Sequence, residues 1–372
     1  MSPDPAPAVP APLMRFNGGD VTAPAGIKQV AARAGVSVGT VSNVINRPHV
    51  VRAQTRLRVE AAMADLGFAR NESARQLRAG SSRVVAYLFL DASNPYFTDV
   101  ARGAEQRCRE ERLALLLCTS GGEPAREDDY LALLLEQRVR GVLVTAADDE
   151  GQRLRDLPGL GVPVVLVDRM GAPDGRWCTV GTDDVEGGRL AAGHLLEQGH
   201  RRIAFAGGRL SVPQVASRLD GARQAVSAAG LDPGLLTVLE TAGTTVAAGR
   251  EAAQRLAGLP TGARPTGVFC ANDLIALGML QELIRQGRRV PQDIALVGYD
   301  DIEFASAAAV PLTSVRQPRE QLGRTAVELL LREAEGAPGH RHEHVRFSPE
   351  LVVRESSRGR SPDAVTGRAV RP

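Results

Sequence analysis

Aromatic residues are scarce in this chain: Phe, Trp and Tyr make up 3% of its 372 residues, with a single tryptophan, Trp177. Lysine is nearly absent, because all but one of the 45 basic residues are arginine and Lys28 is the exception. Cys108, Cys118, Cys178 and Cys270 form no C-x-x-C pair and no metal-ligand spacing, so they read as small buried hydrophobes in a reducing compartment. No apolar run approaches the roughly 18 residues of a bilayer-spanning helix, and no membrane contact is expected. No Gly-rich stretch with G-x-G-x-x-G or Walker spacing follows a strand, so neither a nucleotide cofactor nor any other cofactor is expected. Residues 1–24 are rich in Pro and Ala but lack a basic start and an apolar core. They read as a disordered lead rather than a signal peptide, with a cytoplasmic location. The rest, 43% hydrophobic and 24% charged, has the composition of an ordinary globular protein of two or three domains.

The most informative stretch that is present begins at Ile27. Ile27, Val30, Ala31 and Ala34 fall on one face of a two-turn helix. Gly35 supplies the positive φ that ends it. Ser37 stands where an N-cap belongs, and Val38, Val41, Val44 and Ile45 give a second apolar face. Two short helices around such a turn form a helix-turn-helix, which lays its second helix in the DNA major groove. Charge supports this over a plain helical hairpin. Between Gly26 and Arg83 stand ten basic and three acidic residues, a net +7 on a chain whose total is +2. A small basic module on a near-neutral body is the footprint of phosphate contact.

The run Ile27-Lys28-Gln29-Val30-Ala31 … Ala34-Gly35-Val36-Ser37 … Thr40-Val41-Ser42 … Asn46 resembles the headpiece of the LacI/GalR (lactose/galactose repressor) family. The likeness continues through Leu66-Gly67-Phe68 and Ala74-Arg75-Gln76-Leu77-Arg78, and reappears at Asn94-Pro95-Tyr96-Phe97, Val167-Asp168-Arg169 and Gly199-His200-Arg201-Arg202. It returns at Ala271-Asn272-Asp273, Val297-Gly298-Tyr299-Asp300-Asp301, Pro311-Leu312-Thr313-Ser314-Val315 and Glu350-Leu351-Val352-Val353-Arg354. It covers about 26–356, in the family's order and spacing.

From Val84 onward, apolar strands alternate with helical patterns. The strands are Val84–Leu90, Leu113–Cys118, Gly141–Thr145, Pro163–Val167, Arg202–Ala206, Thr266–Cys270 and Ile294–Gly298. Such alternation means parallel sheets covered by helices on both faces. A break near Gly181 suits two doubly wound lobes. The expected fold is therefore a small all-α helix-turn-helix headpiece (25–70), a hinge helix and linker (71–82) and an α/β two-lobed body (83–356) like a periplasmic binding protein. The tail 357–372 reads as disordered. The resemblance implies lobe crossings near Thr182, Pro311 and His344, with an N-lobe of about 83–181 and 313–340 and a C-lobe of about 182–311 and 345–356.

In open α/β sheets ligands bind beyond the carboxyl ends of the strands, where Asp91, Thr145, Asp168, Asn272 and Asp300 stand. Tyr96 and Phe97 are either a core pair or, as the resemblance implies, a stacking surface for an effector. Arg218 is either half of a surface salt bridge or, by resemblance, a forked donor into the cleft. Asn272 suits a helix cap as well as a ligand contact, and Gln214 is a further candidate. Asp300 suits a bidentate acceptor for vicinal hydroxyls or ring N–H groups. Where many relatives place an aromatic, this chain has Gly243-Thr244-Thr245, which favours a sugar or sugar derivative over a planar nucleobase.

For DNA, the resemblance gives Ser37, Val38, Gly39, Thr40, Ser42, Asn43 and Asn46 on the recognition helix, and Ala74, Leu77 and Arg78 in the hinge. Asn43 stands where relatives commonly carry Arg. Asn pairs best with adenine and Arg with guanine, so a shifted half-site is expected. The target is an inverted repeat read by a homodimer, since the tail lacks leucine heptads for a tetramer.

Two enzyme-like signals carry less. Gly35-Val36-Ser37-Val38-Gly39 matches G-x-S-x-G but lies between helices rather than at a strand-to-helix turn. His340-Arg341-His342-Glu343-His344 has metal-binding residue types, but Arg341 and Arg346 oppose a cation and no remote ligand set is evident, so no metal is expected. With no nucleophile–base pair either, the chain is not expected to be an enzyme. The expected function is a transcriptional repressor controlled by a small effector. A sugar-binding transport receptor and a corepressor-dependent regulator of nucleobase metabolism are the alternatives.

Overall fold

The computed structural model describes residues 25–68, 82–147, 151–171, 175–336 and 341–359. The chain divides after Gly80 into a helical N-terminal unit and a larger body. In the first unit, α1 (Ile27–Ala34) opens with Gln29 Oε1 accepting the Gly26 N–H at 2.7 Å and closes at Gly35, φ +63°. Helix α2 (Val38–Asn46) is capped by Ser37, whose Oγ accepts the Thr40 N–H at 3.1 Å. The G-x-S-x-G match is thus a helix cap. Helix α3 (Ala53–Asp65) contributes Val59 and Ala62 to a core with Val30, Ala31, Ala34, Val41 and Val44. Val38, expected on the apolar face of α2, is instead 41% exposed, because the first helical residue points away from that core. The expected hinge residues Ala74, Leu77 and Arg78, and the N-terminal lead, lie outside the described residues.

All seven expected strands form: β1 (Val84–Phe89), β2 (Ala114–Thr119), β3 (Gly141–Val144), β4 (Val164–Val167), β6 (Ile203–Gly207), β8 (Gly267–Cys270) and β9 (Ala295–Asp300). Five further strands carry no clear sequence pattern: β5 (Cys178–Thr182), β7 (Leu236–Glu240), β10 (Thr313–Arg316), β11 (His344–Phe347) and β12 (Glu350–Val352). Two six-stranded sheets result, ordered β11-β5-β4-β3-β1-β2 and β12-β10-β9-β8-β6-β7. Every pairing is parallel except β10 with β12. The helices that cover the sheets include α4 (Pro95–Glu110), α5 (Pro124–Glu136), α6 (Gln152–Asp156), α7 (Asp184–Glu197), α8 (Pro213–Ala228) and α9 (Val246–Gly258), of which α4, α7 and α8 bear on the site. A later helix, α10 (Asp273–Arg285), follows β8. No helix among the described residues is long and apolar enough to cross a membrane.

Two expected crossings fall elsewhere. Strand β10 pairs with β9 in the second sheet, so Thr313–Arg316 belongs to the C-lobe and the chain returns to the N-lobe only after Arg316. Strand β11 pairs with β5 in the first sheet, so the last crossing follows Phe347 rather than His344. Ser357, placed by the sequence in the tail, instead packs against the body. Ser357 is buried, and its Oγ lies 2.6 Å from Thr313 Oγ1 and 2.8 Å from His194 Nε2.

Close packing of α7 depends on Gly187 and Gly188. A Cβ on Gly188 would lie 2.0 Å from the Arg218 carbonyl oxygen, and one on Gly187 would lie 2.2 Å from Tyr299 Oη. Gly188 lets α7 sit directly against the helix that carries Arg218, and Gly187 lets it approach the Tyr299 ring of β9.

Candidate functional site

Tyr96, Phe97, Asp168, Gln214, Arg218, Asn272 and Asp300 all line one cleft of about 480 Å³ in the body. The topology explains their convergence. Tyr96 and Phe97 begin α4 just after β1, and Asp168 directly follows β4. Gln214 and Arg218 lie on the first turns of α8, and Asn272 caps α10 just after β8. Asp300 ends β9. Each position is the carboxyl end of a parallel strand or the helix start that follows it, where such sheets place ligands.

The side chains are tied to one another across the cleft. Tyr96 Oη donates to Asp168 Oδ1 at 2.7 Å, and Gln214 Nε2 donates to the Asp168 carbonyl at 2.8 Å. Gln317 Nε2 donates to Asp300 Oδ1 at 2.9 Å. Arg218 is 6% exposed and sends Nε to Asp184 Oδ1 and Nη1 to the Ala271 carbonyl, both at 2.7 Å. Its guanidinium carbon lies 3.7 Å from the centre of the Tyr299 ring, a cation–π contact. Asn272 does cap its helix, with Oδ1 accepting the Ile275 N–H at 3.0 Å, while its Nδ2 donates to the Thr244 carbonyl at 3.0 Å. Tyr96 and Phe97 are both core and cleft wall: Phe97 stacks on Phe89 at 5.6 Å between centroids, yet both rings border the cavity.

Charge in the cleft is unbalanced. Asp168, Asp184 and Asp300 are buried beside a single buried guanidinium, Arg218. Burial raises the Asp300 carboxyl to about 6, with Arg218 pulling the other way. Asp168 is raised by burial and by the nearby Asp184 carboxylate. Asp184 is raised by burial against the opposing pull of Arg218. Asp168 and Asp300 also hold left-handed backbones, φ +60° and +97°, a conformation that non-glycine residues keep only where the surroundings enforce it. The carboxylates of Asp168 and Asp300 thus face the cleft with Arg218, and such acceptors suit a molecule that offers O–H or N–H groups.

Asp184, Tyr299 and Gln317 belong to this network but were absent from the sequence-based candidates. Asp184 follows β5, a strand without a clear pattern, so its place at a strand end is hidden in the sequence. Gln317 stands in a crossing whose position the sequence misplaces. Asp91, also at a strand end, lines the cleft and accepts the Ser93 N–H at 2.8 Å. Thr145 instead lies beneath, its Oγ1 3.1 Å from Tyr87 Oη.

In the N-terminal unit, Ser37, Val38, Gly39, Asn43 and Asn46 are exposed along α2, and Thr40 and Ser42 are half-buried. Asn46 Nδ2 donates to the Ser42 carbonyl at 2.9 Å. Arg47, Arg52 and Arg58 of the same unit are exposed.

Residues 26–71 match the family model for bacterial regulatory proteins of the lacI family, and residues 192–357 match that of a periplasmic binding protein-like domain. The HTH-type transcriptional repressor PurR of Aliivibrio fischeri strain MJ11 is 34% identical over 331 residues, spanning 89% of this chain and 97% of that protein. A transcriptional regulator CelR–cellobiose complex is 33% identical with a TM-score of 0.64, covering 89% of this chain and 99% of its own. The lac repressor dimer bound to operator and the anti-inducer ONPF is 28% identical with a TM-score of 0.79, covering 90% and 99%. With a helix-turn-helix unit, a two-sheet body and this similarity over nearly its whole length, the chain belongs to the LacI family of DNA-binding transcriptional repressors.

Proposed function

We propose that this repressor reads an inverted-repeat operator as a homodimer and that a sugar or sugar derivative in the interlobe cleft controls its affinity. The observation that carries the effector half is the excess of buried carboxylates over cations around a 480 Å³ cleft. Hydroxyl pairs satisfy such acceptors, and Arg218 and Asn272 supply the complementary donors. The loop Ala242–Thr245 borders the cleft without an aromatic ring, which leaves less stacking surface than a flat base would use. The cellobiose complex of the similar regulator agrees with this choice.

Ser37, Val38, Gly39, Thr40, Ser42, Asn43 and Asn46 are the proposed operator contacts, joined by Ala74, Leu77 and Arg78 from the hinge. Leu77 is proposed as an apolar wedge in the minor groove. For the dimer, the supporting feature is the edge strand β2, where Leu116 and Leu117 are 42% and 48% exposed. An open apolar edge invites pairing with a second copy. Light scattering at micromolar concentration should find a dimer, and a stable tetramer would overturn that part.

A nucleobase corepressor is the second candidate, favoured by the 34% identity to PurR. Calorimetry with a panel of mono- and disaccharides beside hypoxanthine and guanine separates the two. Saturable heat with a sugar, abolished by Asp300→Ala, supports the first. Saturable heat with a purine alone assigns the cleft to the second.

A further inference from the structure

The His340–His344 run has no visible partner in the sequence, but the fold brings two to it. Cys178 opens β5, Glu333 lies in the last turn of the helix Arg319–Ala334, and His342 stands two residues before β11. Strand β11 pairs with β5 so that His344 faces Thr179, which draws residue 342 back toward Cys178. One ligand atom from each of Cys178, Glu333 and His342 falls within 4.8 Å of the other two. Cys178 Sγ and His342 Nδ1 are 3.8 Å apart.

We propose that Cys178, Glu333 and His342 form a three-ligand site for a borderline-soft divalent cation such as Zn²⁺. A thiolate, an imidazole and a carboxylate are the ligand types that zinc takes, with a fourth position left to water. Bonds of about 2.3 Å to sulfur and 2.0–2.1 Å to nitrogen place tetrahedral S and N ligands roughly 3.5 Å apart. The observed separation is within a few tenths of an ångström of that value. The Glu343 backbone N–H also donates to Cys178 Sγ at 3.4 Å, and such a hydrogen bond supports a metal-bound thiolate.

The arginines that argue against a cation in the sequence are directed elsewhere. Arg346 Nη1 pairs with Asp183 at 3.3 Å, Arg332 with Glu343 at 3.0 Å, and Arg341 is exposed. Binding replaces the thiol proton, which leaves to solvent, and no electron changes hands. The metal would tie the end of a long helix to the two strands beside the first and last lobe crossings.

The test uses the full chain, stripped with chelator and titrated with CoCl₂. The expected result is one bound cobalt per chain with a thiolate-to-cobalt charge-transfer band in the near ultraviolet. Cys178→Ser should remove the band. His342→Ala and Glu333→Gln should weaken binding roughly tenfold or more, while His344→Ala, two residues away, leaves it unchanged. Zinc should displace the cobalt. The half-buried His342 keeps the test decisive if the Cys178 variant fails to fold. No cobalt band in the parent chain, a band that survives Cys178→Ser, or equal losses from His342→Ala and His344→Ala would each overturn the site.

Discussion

Arg218 and Asp184 form a buried ion pair, Nε to Oδ1 at 2.7 Å, with both side chains 7% exposed. The first partner of the cleft guanidinium is therefore a carboxylate of the protein, and a ligand meets an arginine already fixed in place. Arg218→Ala leaves the Asp184 charge buried and unopposed, which costs about 3–5 kcal/mol. The variant should melt at a markedly lower temperature and lose effector binding together. Asp184→Asn combined with Arg218→Met should recover much of the stability and none of the effector binding. Thermal melts read beside calorimetry separate the two effects, and a fully stable Arg218→Ala would show that the pair carries nothing.

Asp300 gives a pH signature. Its folded pKa of about 6 lies above the ordinary value for aspartate, so the folded chain takes up a proton that the unfolded chain does not. The associated stability is present at low pH and is lost as pH rises through about 6. Between pH 7 and pH 5 the parent should gain about 1.4 kcal/mol relative to Asp300→Asn, the equivalent of one pKa unit. Melting temperatures of the two proteins at both pH values check this. Parallel shifts would mean that Asp300 is not the titrating group.

Gly188→Ala tests the packing that places Arg218. The new methyl would fall 2.0 Å from a backbone oxygen that cannot rotate away, so α7 and α8 must part. Overpacking of this kind costs about 1–3 kcal/mol. Effector affinity should fall even though position 188 does not line the cleft. Gly193→Ala, on the same helix with open space around it, is the control and should be neutral or slightly stabilising.

On α2, Asn43 is exposed and open to a base edge. Asn43→Arg should move one position of the preferred half-site toward guanine, with about 1–3 kcal/mol of discrimination. Selection from a random pool measures it, and identical half-sites for both proteins would remove Asn43 from the reading set. Arg52→Ala should instead lower the salt slope by roughly one without altering the sequence selected.

The seven strands with long apolar runs were legible, and so were the cleft residues that follow them, because strand ends in such sheets are also ligand positions. Strands such as Thr313–Arg316 and His344–Phe347 were not. Each mixes polar and charged residues with few apolar ones (Thr-Ser-Val-Arg and His-Val-Arg-Phe), and its pairing is decided by partners far away in the chain rather than by its own pattern. This is why the second and third crossings were misplaced, and why Gln317 and Asp184 went unnoticed. The Gly187-Gly188 pair inside a helical pattern is itself a sequence sign of close packing, since glycine in a helix interior costs stability unless something needs the space. For Arg218 the sequence leaves a surface salt bridge and a ligand contact both open, and only three dimensions show that its ion-pair partner is the buried Asp184.

Gln317 stands in the stretch between β10 and the helix that begins at Arg319, on one of the chain's passages from lobe to lobe. Its amide nitrogen holds Asp300 at 2.9 Å, and its amide oxygen lies 3.5 Å from the Tyr96 hydroxyl. A guest that claims either partner must first compete with the connecting strand itself. One side chain on the connection between the lobes thus touches both walls of the cleft, Asp300 on one side and Tyr96 on the other.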